Sequence, residues 1–305
     1  MTLQQLFISQ VDDFLNMTKK IKDNTPVQRL LVPSYILGIS RFLTKVSPFL
    51  ASRFAAKLFL TPFKYKLPGR EKEMDADSIQ KKEVVPSMNR EIVTYEYGKG
   101  EKKVLLIHGW SGRGTQLAKI AEDLKNHGYK VISFDAPAHG KAEGKMSMMP
   151  FFIDAVHFLD EKHGPFEALV GHSLGGMSAL KAISNGLETK KLVIIGTANN
   201  ITEITRHFAE NMKMNHKVAA KMKKYLDEKF NEDMDTLSGA RSAANVKIPT
   251  LVIHDEQDVD VKINSAHEIH EALENSELMI TSGQGHRRIL GNQEVINKTT
   301  TFITA

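Results

Sequence analysis

The stretch Gly171-His172-Ser173-Leu174-Gly175-Gly176 sets a serine between glycines at the spacing G-x-S-x-G. The apolar run Ala168–Val170 precedes it, and the helix-forming run Met177–Ile183 follows. The stretch therefore reads as a sharp turn from a buried strand into a helix. Such a turn strains the serine backbone. It needs glycine on either side because a side chain there would meet strand or helix. Ser173 Oγ would stand clear of the sheet. The Leu174 N–H would sit at a helix N-terminus, where it can face a developing oxyanion. The bland alternative is a Gly-rich turn with an incidental serine.

A serine hydroxyl near neutral pH needs a base, and the base needs a carboxylate to fix its tautomer and stabilise its charged form. Of twelve histidines, His286 is the best candidate base, because Ser282–His286 is a flexible loop after the last apolar run. His172 is expected to point away from the serine and pack. His108 is expected to prop the glycine-rich loop that it opens. His127, His157, His163, His267 and His270 fall on predicted helices. For the acid, Asp258 follows the apolar run 250–253 by a few residues, with Asp255 and Asp260 as competing neighbours. An acid after the run 192–195 is the other possible geometry, but that position offers Asn199 and Asn200. The loop His108-Gly109-Trp110-Ser111-Gly112-Arg113-Gly114 should supply a second oxyanion donor, the Trp110 N–H paired with that of Leu174. A phosphate cradle is the rival reading of this loop. It lacks the G-K-[ST] ending and the dinucleotide spacings.

These residues need elements to position them. From residue 91 onward the chain alternates strand, turn and helix. Strand-like runs are 92–97, 104–107, 131–134, 168–170, 192–195, 250–253 and 278–280; helical runs include 115–127, 150–163 and 293–303. Alternation of this length predicts a doubly wound, mostly parallel sheet. Residues 200–245 break it with helical pattern alone and read as a small cap over the carboxyl ends of the strands; a longer crossover away from the site is the alternative. Residues 68–90 read as a linker. The expected division is a helical extension over 1–80 and a catalytic body over 81–305, with the cap inserted at about 200–245.

Length and ordinary composition allow one large α/β domain with additions. There is no cysteine, which suits a reducing compartment. Residues 1–16 carry Asp12 and Asp13 and no basic start, so no signal peptide is read, and a cytoplasmic location is expected. The net charge of +5 is uneven: residues 18–70 hold 11 basic and 1 acidic residue. An amphipathic helix is expected over 1–24 and a helix pair over 34–60, interrupted at Pro48. Ile36, Ile39, Leu43 and Val46 should line one face of the pair's first helix. Phe49, Leu50, Phe54, Leu58 and Phe59 should line one face of the second. Basic amphipathic helices can lie on an anionic membrane, so a peripheral membrane contact through residues 18–66 is one expectation. Docking of the apolar faces on the body is the other. No nucleic-acid motif accompanies the charge.

The order of the motifs resembles the α/β-hydrolase family. The resemblance rests on His108-Gly109-Trp110, Asp135-Ala136-Pro137-Ala138-His139-Gly140, the Gly171–Gly176 turn, the run from His254 through Asp258 to Val261, and Gly285-His286. It covers about residues 90–305. It implies the triad Ser173, Asp258 and His286, the oxyanion pair Trp110 and Leu174, and no metal or organic cofactor. HGW stands where many lipases and esterases carry HGGG, and the first 80 residues lie outside the family core. The expected function is hydrolysis of a small carboxylic ester or acyl substrate through an acyl-enzyme on Ser173. Acyl transfer, thioester cleavage or perhydrolysis on the same triad is the alternative. A non-catalytic, membrane-associated protein of this fold is another.

Overall fold

A computed structural model describes Pro26 and Val32–Ala305. The helix expected over residues 1–24 therefore lies outside the described residues, as does most of 18–31. The strands are β1 (Ile79–Val85), β2 (Arg90–Tyr97), β3 (Lys103–Ile107), β4 (Lys130–Asp135), β5 (Phe166–His172), β6 (Thr189–Ile195), β7 (Thr250–Asp255) and β8 (Ser276–Thr281). They form one sheet in the order β1-β2-β4-β3-β5-β6-β7-β8. Strands β3 to β8 pair in parallel, while β1 and β2 are antiparallel to their neighbours.

The helices are α1 (Ser34–Val46), α2 (Pro48–Phe59), α3 (Lys72–Asp77), α4 (Ala118–Asn126), α5 (Met149–His163) and α6 (Leu174–Ser184). They continue as α7 (Ile201–Asn211), α8 (His216–Phe230), α9 (Gly239–Ala243), α10 (Asn264–Ala272), α11 (Gly285–Arg288) and α12 (Gln293–Thr304).

The continuous apolar runs form the central strands because both sheet faces are covered. Leu105, Ile107, Leu169 and Ile194 face one core, with α5 and α6. Val104, Leu106, Val170 and Val193 face the other, with α4 and α12. Each leucine and isoleucine among them stabilises the fold by about 2–5 kcal/mol relative to alanine. Strand order reverses at β3, so the crevice beyond its carboxyl end lies between the loops that follow β3 and β5.

Two expectations need correction. Residues 68–90 are not a linker: they hold α3 and β1, and β1 pairs along its length with β2. The face assigned to α1 is divided. Ile36 and Leu43 pack against the core, whereas Ile39 and Val46 are exposed. One apolar arc holds all four, and the helix docks by an edge of it, through Ile36, Leu43 and the fully buried Ser40. Periodicity locates the arc but not the edge that docks.

The break between α1 and α2 falls as expected. Ser47 caps α2 by accepting a hydrogen bond from the Leu50 N–H at 3.3 Å, and Pro48 takes the first helical position. Asn200 and Asn215 cap α7 and α8 in the same way, accepting from Glu203 N–H and Val218 N–H. Helices α7 to α9 form the cap. Ala51, Ala55 and Ala56 of α2 share the core of Val218, Met222 and Leu226 of α8. Small residues let the two helices approach closely. The Arg53 guanidinium lies 3.8 Å from the centre of the Tyr225 ring, and Phe59 meets Phe208 edge-on at 5.2 Å. The N-terminal hairpin is thus docked on the cap.

Candidate active site

Ser173 joins β5 to α6 at φ 54°, ψ −117°, a conformation that costs a non-glycine residue about 1–3 kcal/mol. Its N–H donates to the Ile195 carbonyl at 2.9 Å. The flanking glycines are required by space. A Cβ on Gly171 would lie 2.6 Å from the Gly175 carbonyl carbon, and one on Gly175 would lie 2.7 Å from the His108 carbonyl oxygen. Leu174 opens α6, so its N–H has no intrahelical acceptor and faces outward at the positive helix end.

Asp258 follows β7 and His286 opens α11 after β8. Gly283 and Gly285, at φ 80° and 63°, turn the chain between β8 and α11. His286 Nδ1 lies 2.6 Å from Asp258 Oδ2. The other oxygen, Oδ1, accepts the N–H groups of Asp260 and Val261 at 2.8 Å each. Asp255 does a different job. It accepts from the Thr281 hydroxyl at 2.8 Å and the Gln284 N–H at 2.9 Å, fixing the loop that carries His286.

Burial by itself would lower the His286 pKa, but the Asp258 charge and hydrogen bond outweigh it and raise the pKa above the ordinary histidine value. Burial would raise the Asp258 carboxyl, and His286 instead brings it below the usual range. Both shifts describe an ion pair that forms readily once the imidazole takes a proton.

His172 is not simply packed away. Its Nε2 donates to the His286 carbonyl at 2.9 Å, and the two rings lie 4.7 Å apart. The residue before the serine thus anchors the residue that carries the candidate base. Gly196, which follows β6, keeps that corner open: a Cβ there would stand 3.3 Å from His286 Nδ1. Ser173, Asp258 and His286 are gathered at the carboxyl ends of β5, β7 and β8. Asn199 serves the cap instead, accepting from the Ser238 hydroxyl and the Ala240 N–H at 2.7 Å each.

The loop after β3 runs alongside the serine, because a Cβ on Gly109 would lie 3.1 Å from Ser173 Cβ. His108 props this loop. Its Nδ1–H donates to the Gly109 carbonyl at 2.7 Å, and its Nε2 accepts the Ala136 N–H at 3.1 Å. Gln116 Oε1 accepts the Gly109 N–H at 2.7 Å. Buried Asp135 accepts from Gly114 N–H, Lys141 N–H and the Tyr95 hydroxyl, tying this loop to the turn after β4. Trp110 stacks on Phe59 with ring centres 6.2 Å apart and meets His139 edge-on.

The N-terminal segment braces the same loop. Phe63 N–H donates to Ser111 Oγ at 2.9 Å, and Arg113 Nη2 donates to the Tyr65 carbonyl at 2.5 Å. The Thr115 hydroxyl donates to the fully buried Glu71 at 2.8 Å. Burial raises the Glu71 pKa, against the Thr115 hydrogen bond and the charges of Arg70 and Arg113. Sequence patterning carried no sign of this brace, because its members lie 44 and 48 residues apart. Glu71→Ala should lower kcat on a soluble ester about tenfold, with KM little changed. That is less than the 10²–10³ lost with an oxyanion donor itself. Glu71→Gln, which keeps an acceptor for Thr115, should restore most of the loss. An equal rise in KM, or no recovery with glutamine, would remove Glu71 from this positioning role.

Three buried histidines around the site stay neutral. Burial lowers His108 to about 4 and His172 to about 3, and it drives His139 well below its ordinary value. The unfolded chain binds protons on them that the folded chain refuses. Stability therefore rises with pH through the window between the lowered values and about 6.5. Each withheld proton contributes about 1.4 kcal/mol per pH unit in that window. The buried carboxyls of Glu71 and Asp135, raised by burial, oppose at its acid end. His286, with its raised value, acts only above about 6.5, where its extra proton is lost as pH rises. Thermal unfolding should show Tm falling steeply as pH drops from about 6.5 towards 4. A flat Tm over that window would mean these rings are not held neutral.

Among the described residues, no group of three His, Cys, Asp or Glu side chains is placed to hold a metal ion. None of their helices is long and apolar enough to cross a membrane.

The fold agrees with comparisons to known proteins. A family model described as serine aminopeptidase, S33, matches residues 98–241, and one described as TAP-like protein matches 231–305. An esterase from Pyrococcus furiosus superposes with a TM-score of 0.62 at 18% identity, covering 80% of this chain and 96% of its own. An esterase from Exiguobacterium antarcticum does so at 0.59 and 15%, over 74% and 100%. A bromoperoxidase from Bacillus anthracis does so at 0.57 and 19%, over 74% and 99%. No curated protein matches by sequence. The two models together span residues 98–305, and the chain has the α/β-hydrolase fold.

Proposed function

We propose that this protein is a serine hydrolase that cleaves a carboxylic ester through an acyl-enzyme on Ser173. The observation that supports the proposal is the 2.6 Å contact of His286 with Asp258, at the same end of the sheet as a serine held at positive φ. Ser173 Oγ attacks the acyl carbon while His286 Nε2 takes its proton. The Trp110 and Leu174 N–H groups hold the oxyanion, and Asp258 stabilises the imidazolium. As the tetrahedral species collapses, the ester C–O bond breaks and His286 returns the proton to the departing alkoxide. Water then adds to the acyl-enzyme, giving its proton to His286, and the carboxylic acid leaves as Ser173 recovers its hydrogen.

The proposal takes residues 81–305 as the catalytic body, with a cap at about 200–245, and residues 1–80 as an extension. It places the protein in the cytoplasm, in peripheral contact with an anionic membrane through residues 18–66. The charge of that stretch supports the contact.

A fluorophosphonate probe should label the folded protein, with the adduct on Ser173 by mass spectrometry. A soluble ester should then turn over faster than the matching thioester or peptide amide. Absence of label in folded protein would remove the catalytic reading and leave a binding protein of this fold. Faster transfer to an alcohol or to peroxide than to water would instead assign acyl transfer or perhydrolysis to the same serine.

A further inference from the structure

Tyr35, Ile39, Phe42 and Val46 recur at helical spacing along α1, and Phe49 and Leu50 continue their strip onto the start of α2. All six are exposed; Phe42 keeps 64% of its surface and Val46 61%. Other parts of the hairpin are already used, through Ile36, Leu43 and the alanines of α2. A helix pair that docks by one edge of its apolar surface and bares the rest has a second surface to cover.

Charge indicates what covers it. Residues 32–70 carry seven basic residues, Arg41, Lys45, Arg53, Lys57, Lys64, Lys66 and Arg70, and no acidic one. All but Arg53 are exposed. Lys64 donates to the Ala142 carbonyl and Arg70 lies 3.8 Å from Glu71, so Arg41, Lys45, Lys57 and Lys66 make the rim. A second copy of the chain would bring two such sets together, which like charges oppose. An anionic bilayer offers hydrocarbon for the strip and negative headgroups for the rim.

We propose that the exposed strip Tyr35, Ile39, Phe42, Val46, Phe49 and Leu50 inserts into the headgroup layer of an anionic membrane, with the surrounding lysines and arginines on its lipid phosphates. This rests on the peripheral-membrane part of the function proposed above and names the face and the lipid charge involved. The same hairpin carries Phe59, which stacks on Trp110. Docking by this face therefore sets the candidate active site one helix away from the lipid, within reach of acyl esters held there.

The test is cosedimentation of the full chain with phosphatidylcholine vesicles, with and without phosphatidylglycerol. Binding is expected only with phosphatidylglycerol and should weaken as salt rises. Phe42→Ser/Leu50→Ser should lower partitioning about tenfold or more, while turnover of a soluble ester stays at the wild-type rate and so reports an intact fold. Equal binding by variant and wild type would overturn the proposal. So would a wild type that ignores anionic vesicles. In that case light scattering separates the other occupants. A dimer that the two substitutions dissociate assigns the strip to a second copy. A monomer throughout assigns it to the chain's own residues 1–31. Fluorophosphonate labelling of the same samples keeps the two proposals apart: vesicle binding without label removes the hydrolase, and label without vesicle binding removes the docking face.

Discussion

Ser173→Ala is expected to abolish fluorophosphonate labelling and to lower kcat/KM on a soluble ester about a million-fold, the scale on which a triad serine acts. The proposed oxyanion donors and the His286–Asp258 pair remain in place, so KM should stay near the wild-type value. Any residual rate would then come from those donors and from substrate binding. The substitution leaves the strained backbone at φ 54° as it is, so thermal stability should hardly move. Ser173→Gly removes the nucleophile and also relieves the strain. It should be more stable than wild type by about 1 kcal/mol. A glycine variant that is both inactive and more stable would show that fold stability is sacrificed to aim the hydroxyl. Retention of activity by the alanine variant would move the nucleophile elsewhere.

Asp258→Asn should lower kcat/KM about 10⁴-fold. An asparagine oxygen can still accept the Asp260 and Val261 N–H groups that Asp258 holds at 2.8 Å. Its NH₂ would then face His286 Nδ1, and the imidazole would keep its hydrogen on the nitrogen that must take a proton from serine. The pH profile tests the same pair. Catalysis needs His286 neutral, so the rate climbs as pH rises through the His286 pKa, which Asp258 raises. Removing the carboxylate leaves burial, which lowers that pKa, opposed only by the smaller effect of the Asp260 charge. The acidic limb of the residual activity should therefore move to lower pH. A limb that stays in place would mean that another group supports the base.

Much of this architecture was legible because buried parallel strands are continuous apolar runs, and Val104–Ile107 or Leu192–Ile195 cannot be read as anything polar. Sites at strand ends followed from the same punctuation. Strand β1 escaped because it is an antiparallel edge strand with the sequence Ile-Gln-Lys-Lys-Glu-Val-Val, mostly exposed along its length. An edge needs charge to discourage further pairing, and that charge erases the hydropathy signal. The role of His172 was invisible for another reason: its partner carbonyl is 114 residues away. The brace through Glu71 is likewise a product of tertiary approach. The exposed half of the α1 face was misassigned because the apolar arc docks only by its edge beside the buried Ser40, and periodicity does not say which edge of an arc docks.

The docking of α2 on α8 also has a consequence for synthesis. The hairpin leaves the ribosome well before the residues that cover its alanine face, since Val218, Met222 and Leu226 lie more than 150 residues further along the chain. At ordinary translation rates that interval lasts about ten to thirty seconds. Throughout it the cap does not yet exist. The alanine face of α2 is therefore among the last parts of the chain to reach its final partner.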